Sequence, residues 1–193
     1  MKSGKNKLVI GFGYKRRTGK DLAGDFAEKT LNELGMTTTR EAFAKPLKEG
    51  IGKVVFALTD TQLYGNTEEK TTIDPFWNLS PRTILQRAGT DAMRHVFGGG
   101  IWAKALIRRC QDINSSIIVT DVRFPEEAEA IRILNGILVR CHRNVGYSPT
   151  EDGHPSETAL DNYVGWDYVL NNNGSVYDLA KQVQEIVYNE LKK

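Results

Sequence analysis

The sequence predicts an α/β protein with a mainly parallel sheet flanked by helices, and two patterns lead to this class. Short apolar or β-branched segments alternate with helical segments along the chain, as in proteins built from β-α-β units. The segment 115–122 (SSIIVTDV) is moreover a continuous apolar run, which is typical of a strand buried on both faces of a parallel sheet. With 193 residues, the chain can bury a real core and is most simply one domain, 1–193.

Each element is predicted from its own local pattern. Strands are expected where short runs are apolar or β-branched, at residues 8–10, 37–44, 115–122, 137–143 and 167–172. Helices are expected where apolar residues recur at helical spacing or follow a cap, at residues 22–35, 46–58, 81–97, 101–113, 125–136 and 175–187. Ser80 and Ser175 are cap residues, and Pro81 stands in a first turn. Residues 59–79 are polar and contain Pro75, which predicts a loop or an irregular segment.

The composition narrows the class of protein. Hydrophobic residues make up 40% and charged residues 26%, as in ordinary globular domains. The net charge of +2 gives no indication of a nucleic-acid partner. No apolar run is long enough to span a membrane, and the first residues lack the apolar region of a secretory signal, so we expect a cytoplasmic protein. Cys110 and Cys141 are then expected to be reduced packing residues.

The stretch KLVIGFGYKRRTGKDLAGDF, residues 7–26, places a glycine-rich turn between a strand and a helix. A phosphate-binding loop needs backbone N–H groups that converge on an anion at a helix N-terminus, and a lysine aimed at the same oxygens. Gly19 and Lys20, followed by an amphipathic helix, satisfy the most demanding part of this requirement, although five residues rather than four separate Gly13 from Gly19. Asp21 stands where such loops carry Ser or Thr, and its carboxylate can bind magnesium directly or through water.

Two other interpretations of this stretch remain open. A dinucleotide loop would need a third glycine at residue 16, which is Arg16. A basic surface turn is also possible, since glycine-rich turns are common in α/β proteins. A second feature favours the phosphate-binding loop, because the strand 115–122 runs into Asp121-Val122-Arg123. Phosphoryl transfer requires an acid near the metal and cations near the phosphate, and strand ends of one parallel sheet meet at the same edge.

Six blocks together resemble a known family. They are GYKRRTGKD, FAKPLKE, RTILQRAGTDAMRHVFGGGIWAKAL, VTDVRFPEEAEAIR, GHPSETALD and DYVLNNNGS. In this order they are similar to phage-type deoxynucleoside monophosphate kinases, which belong to the adenylate-kinase-like P-loop kinases, and they span residues 8 to about 190. The Gly-Lys-Asp variant also resembles that family's loop. The additional loop residue is a departure, and it leaves open whether Lys15-Arg16 or Arg16-Arg17 replaces the family's Lys-Arg pair.

The resemblance implies a three-layer P-loop kinase domain with a helical acceptor region at about 45–110 and a short lid at about 140–160. It implies transfer of the γ-phosphate of ATP to a (deoxy)nucleoside monophosphate with Mg²⁺, and related enzymes suggest a homodimer. Catalytic roles fall to Lys20, Lys15, Arg16, Arg17, Asp121 and Arg123. ATP would be bound by Gly13, Thr18, Gly19, Lys20, Asp21, Asn173, Gly174 and Ser175. Mg²⁺ would be bound by Asp21 and Asp121.

The resemblance also implies a set of residues that bind the acceptor nucleotide: Lys45, Arg82, Gln86, Thr90, Asp91 and Trp102. The lid would use Arg140, Arg143, His154 and Glu157, the last two as organisers of the lid and not as metal ligands. Structural alternatives stand beside four of these assignments. Arg123 could form a salt bridge, Trp102 could be a core residue and Gln86 a solvated one. The turn 173–175 could simply cap a helix.

Two rival functions accompany this prediction. SETALD and DYVLNNNGS also resemble phosphomevalonate kinases, so another small-molecule P-loop kinase, including one of the dephospho-CoA kinase type, is an alternative. The block LQRAGTD favours a nucleotide acceptor. The second rival is a non-catalytic nucleotide- or nucleic-acid-binding protein that uses the YKRR patch at residues 14–17.

Overall fold

The structure, a computed structural model, describes residues 7–144 and 155–193. One sheet contains β1 (Val9–Gly13), β2 (Thr38–Glu41), β3 (Ser116–Val122), β4 (Ile137–His142) and β5 (Tyr168–Asn171) in the order β2-β3-β1-β4-β5. Every neighbouring pair is parallel, so all five strands end at the same edge of the sheet. The prediction of an α/β protein with a parallel sheet is confirmed.

Helices connect these strands. Within the described ranges the α-helices are α1 (Lys20–Glu33), α2 (Asp60–Tyr64), α3 (Thr67–Thr71), α4 (Pro81–Gln86), α5 (His95–Phe97), α6 (Ile101–Cys110), α7 (Pro125–Ile133) and α8 (Val176–Leu191). Two further segments, Leu47–Val55 and Arg87–Arg94, are π-helical, and Pro155–Glu157 is a short 3₁₀ turn.

The chain forms two compact units. One runs to Ala42 and resumes at Leu106, and it contains the whole sheet; the other is Phe43–Ala105 and is helical. We call them the sheet unit and the helical unit. The prediction of one kinase domain with an acceptor region at about 45–110 stays a prediction.

The sheet unit buries apolar side chains on both faces of the sheet. On one face, Ile10 and Phe12 of β1 share a core with Leu31 of α1 and Val183 of α8. On the other face β1 presents glycine, and a Cβ atom at Gly11 would lie 2.8 Å from Cγ1 of Ile131 in α7. Helices therefore cover the sheet on both sides, which gives three layers.

The helical unit has its own small core of Leu58, Leu63 and Ile84, with Phe56 and Trp77 packed against it. The indole N–H of Trp77 donates to the Phe56 carbonyl oxygen at 2.9 Å. The buried aliphatic side chains and the partly buried aromatic rings hold the short helices of this unit together.

The predicted loop at 59–79 is wrong, because it contains α2 and α3. Each begins with a capping box, in which Thr59 and Gln62, and then Asn66 and Glu69, bond reciprocally to each other's backbone N–H groups. The helix predicted at 81–97 is present as α4, a π-helical segment and α5. It ends at Gly98, whose φ of 88° is the left-handed conformation that favours glycine.

Both cysteines, Cys110 and Cys141, are buried and free of a disulfide bond, as predicted for packing residues. Among the helices that the structure describes, none is both long enough and apolar enough to cross a membrane.

Candidate active site

The loop between β1 and α1 lies where the strand order of the sheet reverses. From β1 the chain builds β2 and β3 on one side and β4 and β5 on the other. In open parallel sheets this switch point opens a crevice beyond the strand ends, where ligands bind. The loop's position therefore makes it the first candidate for a functional site.

Unusual backbone angles shape this loop. Tyr14, Arg17 and Gly19 all have positive φ, at 102°, 59° and 92°. The N–H of Tyr14 donates to the Val122 carbonyl oxygen at 3.2 Å, which fixes the start of the loop against the end of β3. Such a bent backbone at a helix N-terminus turns N–H groups toward one concave side, and this arrangement binds anions.

The two glycines of the loop are required by close contacts. A Cβ atom at Gly13 would lie 2.7 Å from the ring of Trp166. At Gly19 it would lie 2.3 Å from Nδ2 of Asn172, in addition to the positive φ. Any other residue would strain the loop at either position. The loop with five residues between Gly13 and Gly19 is therefore a well-packed turn, held against Trp166 and Asn172.

Lys20 lies inside this loop and is only 6% exposed. Its Nζ donates to the carbonyl oxygen of Lys15 and lies 3.5 Å from Oγ1 of Thr18, which itself donates to the same carbonyl at 2.8 Å. Burial, together with the positive charge of Arg123, lowers the pKa of Lys20 to about 7. Within the described ranges Lys20 has no ion pair, so its charge is balanced only by more distant groups.

Glu157 joins two of the predicted catalytic cations. Its carboxylate is buried and lies 3.2 Å from Nε of Arg16 and 2.9 Å from Nη1 of Arg123. It also accepts a hydrogen bond from the backbone N–H of Arg16 at 2.9 Å. The salt-bridge interpretation of Arg123 is thus confirmed, and Glu157 fixes the loop between β1 and α1 to the segment 155–161.

Lys15 and Arg17 differ in their surroundings. Nζ of Lys15 forms a salt bridge with Asp161 at 3.0 Å. Arg17 is exposed, and in the part of the chain that the structure describes its guanidinium has no ion pair or hydrogen bond. Of the three consecutive cations, two are therefore tied to named carboxylates and Arg17 extends into solvent.

The two predicted metal ligands lie at the carboxyl edge of the sheet. Oδ1 of Asp21 accepts a hydrogen bond from Oγ1 of Thr120 at 2.8 Å. Asp121 follows Thr120 in β3, and its negative charge raises the pKa of Arg123 against the dominant effect of burial, which lowers it. The described residues contain no cluster of three or more His, Cys, Asp or Glu side chains. Two carboxylates nevertheless fit Mg²⁺, which keeps several waters and takes further oxygens from a bound phosphate.

The turn at 173–175 caps α8, as its structural alternative predicted. Ser175 and Asp178 form a capping box. Oδ1 of Asn173 accepts the backbone N–H of Asn144 at 2.6 Å, and Gly174 is exposed. Contact with the donor adenine stays a prediction.

The predicted acceptor residues all lie in the helical unit. Arg82 and Gln86 are half-buried in α4; Thr90 is half-buried and Asp91 exposed in the π-helical segment, and Lys45 is exposed. Trp102 is 7% exposed, and its indole N–H donates to the Gly89 carbonyl oxygen at 3.0 Å. Trp102 is therefore a buried packing residue in this structure, as its structural alternative predicted. Stacking of its ring on a base stays a prediction.

Two of the predicted lid residues contact the loop: Glu157 bonds Arg16 directly, and the guanidinium carbon of Arg140 lies 4.0 Å from the centre of the Tyr14 ring. Arg143 is exposed directly after β4. His154 lies outside the described residues. The lid at 140–160 therefore stays a prediction.

Sequence reasoning missed several residues that shape this site. Asn172 donates from its side chain to the Thr18 carbonyl oxygen at 3.1 Å, Thr120 bonds Asp21, and Asp161 pairs with Lys15. Asn172 and Asp161 stand inside the blocks DYVLNNNGS and GHPSETALD, which was the available signal. No local spacing rule singles them out, because their partners are distant in the chain.

Comparisons with known proteins identify the family. The family described as deoxynucleotide monophosphate kinase matches residues 55–183. A protein of Acanthamoeba polyphaga mimivirus, named "Putative deoxynucleotide monophosphate kinase", is 31% identical over 197 aligned residues, covering 94% of this chain and 97% of that protein. The sequence resemblance is thereby confirmed.

Solved structures show the fold. Shikimate kinase from Acinetobacter baumannii, in complex with shikimate, matches with a TM-score of 0.53 at 13% identity, covering 100% of this chain and 99% of that chain. APS kinase from Mycobacterium tuberculosis matches with a TM-score of 0.48 at 12% identity, covering 96% and 97%, which adds nothing to the fold assignment. The chain has a P-loop kinase fold and is a phosphotransferase. It belongs to the deoxynucleotide monophosphate kinase family.

Proposed function

We propose that this kinase transfers the γ-phosphate of ATP to the α-phosphate of a deoxynucleoside monophosphate and uses the loop 13–20 as its donor-phosphate site. An oxygen of the acceptor phosphate attacks the γ-phosphorus, the bond to the β,γ-bridging oxygen breaks, and that oxygen leaves on ADP. The enzyme must hold two polyanions in line and balance their charge. The observation that carries the proposal is Lys20, a buried ammonium inside an anion-binding turn and without a carboxylate partner among the described residues.

Lys20 would bind the β- and γ-phosphates together with the loop amides. Its hydrogen bonds to the neutral oxygens of Lys15 and Thr18 are weaker than bonds to a charged phosphate oxygen. A triphosphate also brings the negative charge that restores the protonated form of the lysine. The phosphate therefore replaces a poor set of partners with a strong one.

Arg17 is the best candidate for the cation that bridges donor and acceptor phosphates. Lys15 is paired with Asp161, and Arg16 with the buried Glu157. Arg17 extends from the loop without a described partner, so its guanidinium can reach phosphate oxygens without first breaking an ion pair. Arg16 and Arg123, both held by Glu157, would instead place positive charge at a fixed position beside the loop.

Asp21 and Asp121 would hold Mg²⁺, directly or through its waters. Bound there, the ion neutralises charge on the donor's β- and γ-oxygens. Thr120 occupies Oδ1 of Asp21 and so leaves the second carboxylate oxygen for this role.

On the acceptor side, Arg82 suits the α-phosphate because a guanidinium can donate to two oxygens at once. Gln86, Thr90 and Asp91 would contact the base or sugar, and Lys45 would add positive charge. The burial of Trp102 supports a packing role beside them.

The proposal is tested by titrating ATP into the wild type and the Lys20→Met variant in a calorimeter. Lys20→Met keeps the apolar stem and removes the charge, so ATP affinity should fall roughly 10- to 100-fold, the range for a lost bond to a charged group. Lys29→Met is the matched control, because Lys29 lies in the same helix with a side chain that is 71% exposed. Equal affinity of wild type and Lys20→Met would remove the loop from the donor site.

A further inference from the structure

Asn172 lies where three segments of the sheet unit meet. It follows β5 directly and is 9% exposed. Its backbone N–H donates to the His142 carbonyl oxygen at the end of β4, at 2.7 Å. Its side-chain amide reaches 154 residues back along the chain and donates to the Thr18 carbonyl oxygen at 3.1 Å.

The contact with Thr18 fixes one peptide plane of the phosphate loop. In a trans peptide the C=O and N–H groups point in opposite directions. With the Thr18 carbonyl held by Asn172, the N–H of Gly19 must point away from Asn172. No group within the described ranges accepts a hydrogen bond from that N–H, so it is left for a ligand oxygen.

The packing at Gly19 strengthens this constraint. A Cβ atom there would lie 2.3 Å from Nδ2 of Asn172, so the amide fits against a residue that has no side chain. Gly19 has a φ of 92°, a conformation that glycine adopts without steric strain. A peptide next to such a residue can rotate at little cost unless a side chain holds it, and Asn172 is the side chain that holds it.

We propose that Asn172 is a positioning residue for the donor phosphates: it orients the Thr18–Gly19 peptide so that the Gly19 N–H faces them. The inference rests on the proposed donor site. It also separates Asn172 from its neighbours Asn173, Gly174 and Ser175, whose predicted partner is the adenine. One buried amide thereby joins the loop 13–20 to the turn whose contact with adenine is predicted.

The test compares nucleotides that differ only in their phosphates. Asn172→Asp keeps the size of the side chain, removes the N–H donor and places a carboxylate oxygen against the Thr18 carbonyl. Asn171→Asp adds the same charge one residue away, at an exposed position whose Oδ1 is already an acceptor. The dissociation constants of ATP, ADP and adenosine are measured for both variants and the wild type. Asn172→Ala, which adds no charge, is measured in parallel.

We expect Asn172→Asp to weaken ATP and ADP binding at least 10-fold and adenosine binding less than twofold, with Asn171→Asp within twofold for all three. Asn172→Ala should show the same dependence on phosphate with a smaller loss. In the wild type, ATP should move the amide nuclear magnetic resonance signal of Gly19, and in both Asn172 variants this shift should be reduced.

Two results would overturn the inference. An equal loss for adenosine and ATP would mean that Asn172 acts on the base, and unchanged ATP affinity with a normal Gly19 shift in Asn172→Ala would mean that it has only a structural role. If the wild type itself does not bind ATP, the donor-site proposal fails instead.

Discussion

Lys20 carries its amine into a place that is almost closed to water. Removing an ammonium from water is unfavourable, and among the residues that the structure describes its hydrogen-bond acceptors are all neutral oxygens. The folded protein therefore holds this proton less tightly than the unfolded chain does, and the pKa falls from 10.5 to about 7. A site that destabilises its own cation binds anions well, because the ligand supplies the missing partner.

The stability of the protein should consequently depend on pH through Lys20. Below pH 7 both states keep the proton, and the folded state bears the full cost of burying it, a few kcal/mol at about 1.4 kcal/mol per pKa unit. Between pH 7 and 10.5 the unfolded chain binds more protons, so stability from this group rises with pH. Lys20→Met should thus be more stable than the wild type at pH 6, with a difference that shrinks toward pH 10. Urea unfolding at pH 6, 8 and 10 measures this, and a difference independent of pH would contradict it.

Arg17 should affect catalysis without affecting stability, because it is exposed and has no described partner. For Arg17→Ala we expect kcat to fall by about 10³-fold, the lower end for an arginine that acts on a transferring phosphate, with an unchanged Tm. Steady-state kinetics at saturating ATP and acceptor measure this. Arg108→Ala, at another exposed arginine, is the control. A kcat within threefold of the wild type would leave the bridging role to Lys15 or Arg16.

At the scale of elements, three contacts with other segments hold the loop 13–20, our proposed phosphate loop. The end of β3 fixes its start through Tyr14, the segment after β5 fixes its end through Asn172, and Glu157 holds Arg16 in its middle. Loops of this kind carry function when a rigid scaffold positions them. The concave shape of the loop therefore depends on residues far along the chain.

Glu157→Gln should loosen this arrangement. The change removes the negative charge between Arg16 and Arg123, whose side chains are 29% and 20% exposed. Breaking a buried pair costs about 3–5 kcal/mol, and partial exposure of both arginines reduces our expectation to about 2 kcal/mol. Urea unfolding measures the change, with the exposed Glu129→Gln as control. A loss below about 0.5 kcal/mol, within the range of ordinary surface substitutions, would show that Glu157 is not the anchor.

The sequence patterns identified elements well where the information was local. The strands, the helix cap at Ser175 and the helix end at Gly98 each depend on a few neighbouring residues in the sequence. The capping boxes at Thr59 and Asn66 were equally local and were overlooked because the segment is polar. The π-helical segments differ from an α-helix by one residue of hydrogen-bond register, and apolar spacing in the sequence does not distinguish the two.

The carboxylate partners of the loop cations could not be predicted from local sequence patterns. Lys15 and Arg16 find Asp161 and Glu157, which lie 146 and 141 residues further along. Family resemblance could name the cations and Glu157, but only the fold shows which cation is paired with which carboxylate. The pairing of Lys15 and Arg16 supports our proposal that Arg17 is the bridging cation.

At the scale of the whole molecule, residues from widely separated segments of the sheet unit gather at one edge of a parallel sheet. The ends of β1, β3, β4 and β5 all contribute to it. Parallel strands make this possible, because every strand delivers its last residues to the same side. The helical unit, with the predicted acceptor residues, is a separate compact body. The family shows a deoxynucleotide monophosphate kinase, and the fold is that of a P-loop kinase.

The most direct test of this account is the formation of ADP from ATP and Mg²⁺ with a panel of acceptors. The panel should contain the deoxynucleoside monophosphates, their ribose counterparts, phosphomevalonate, dephospho-CoA and no acceptor. We predict ADP only when an accepting deoxynucleoside monophosphate is present, in equal amount to the diphosphate formed from it, with Lys20→Met almost inactive. Equal loss of ATP with and without a nucleotide acceptor, or turnover only with a non-nucleotide acceptor, would contradict it.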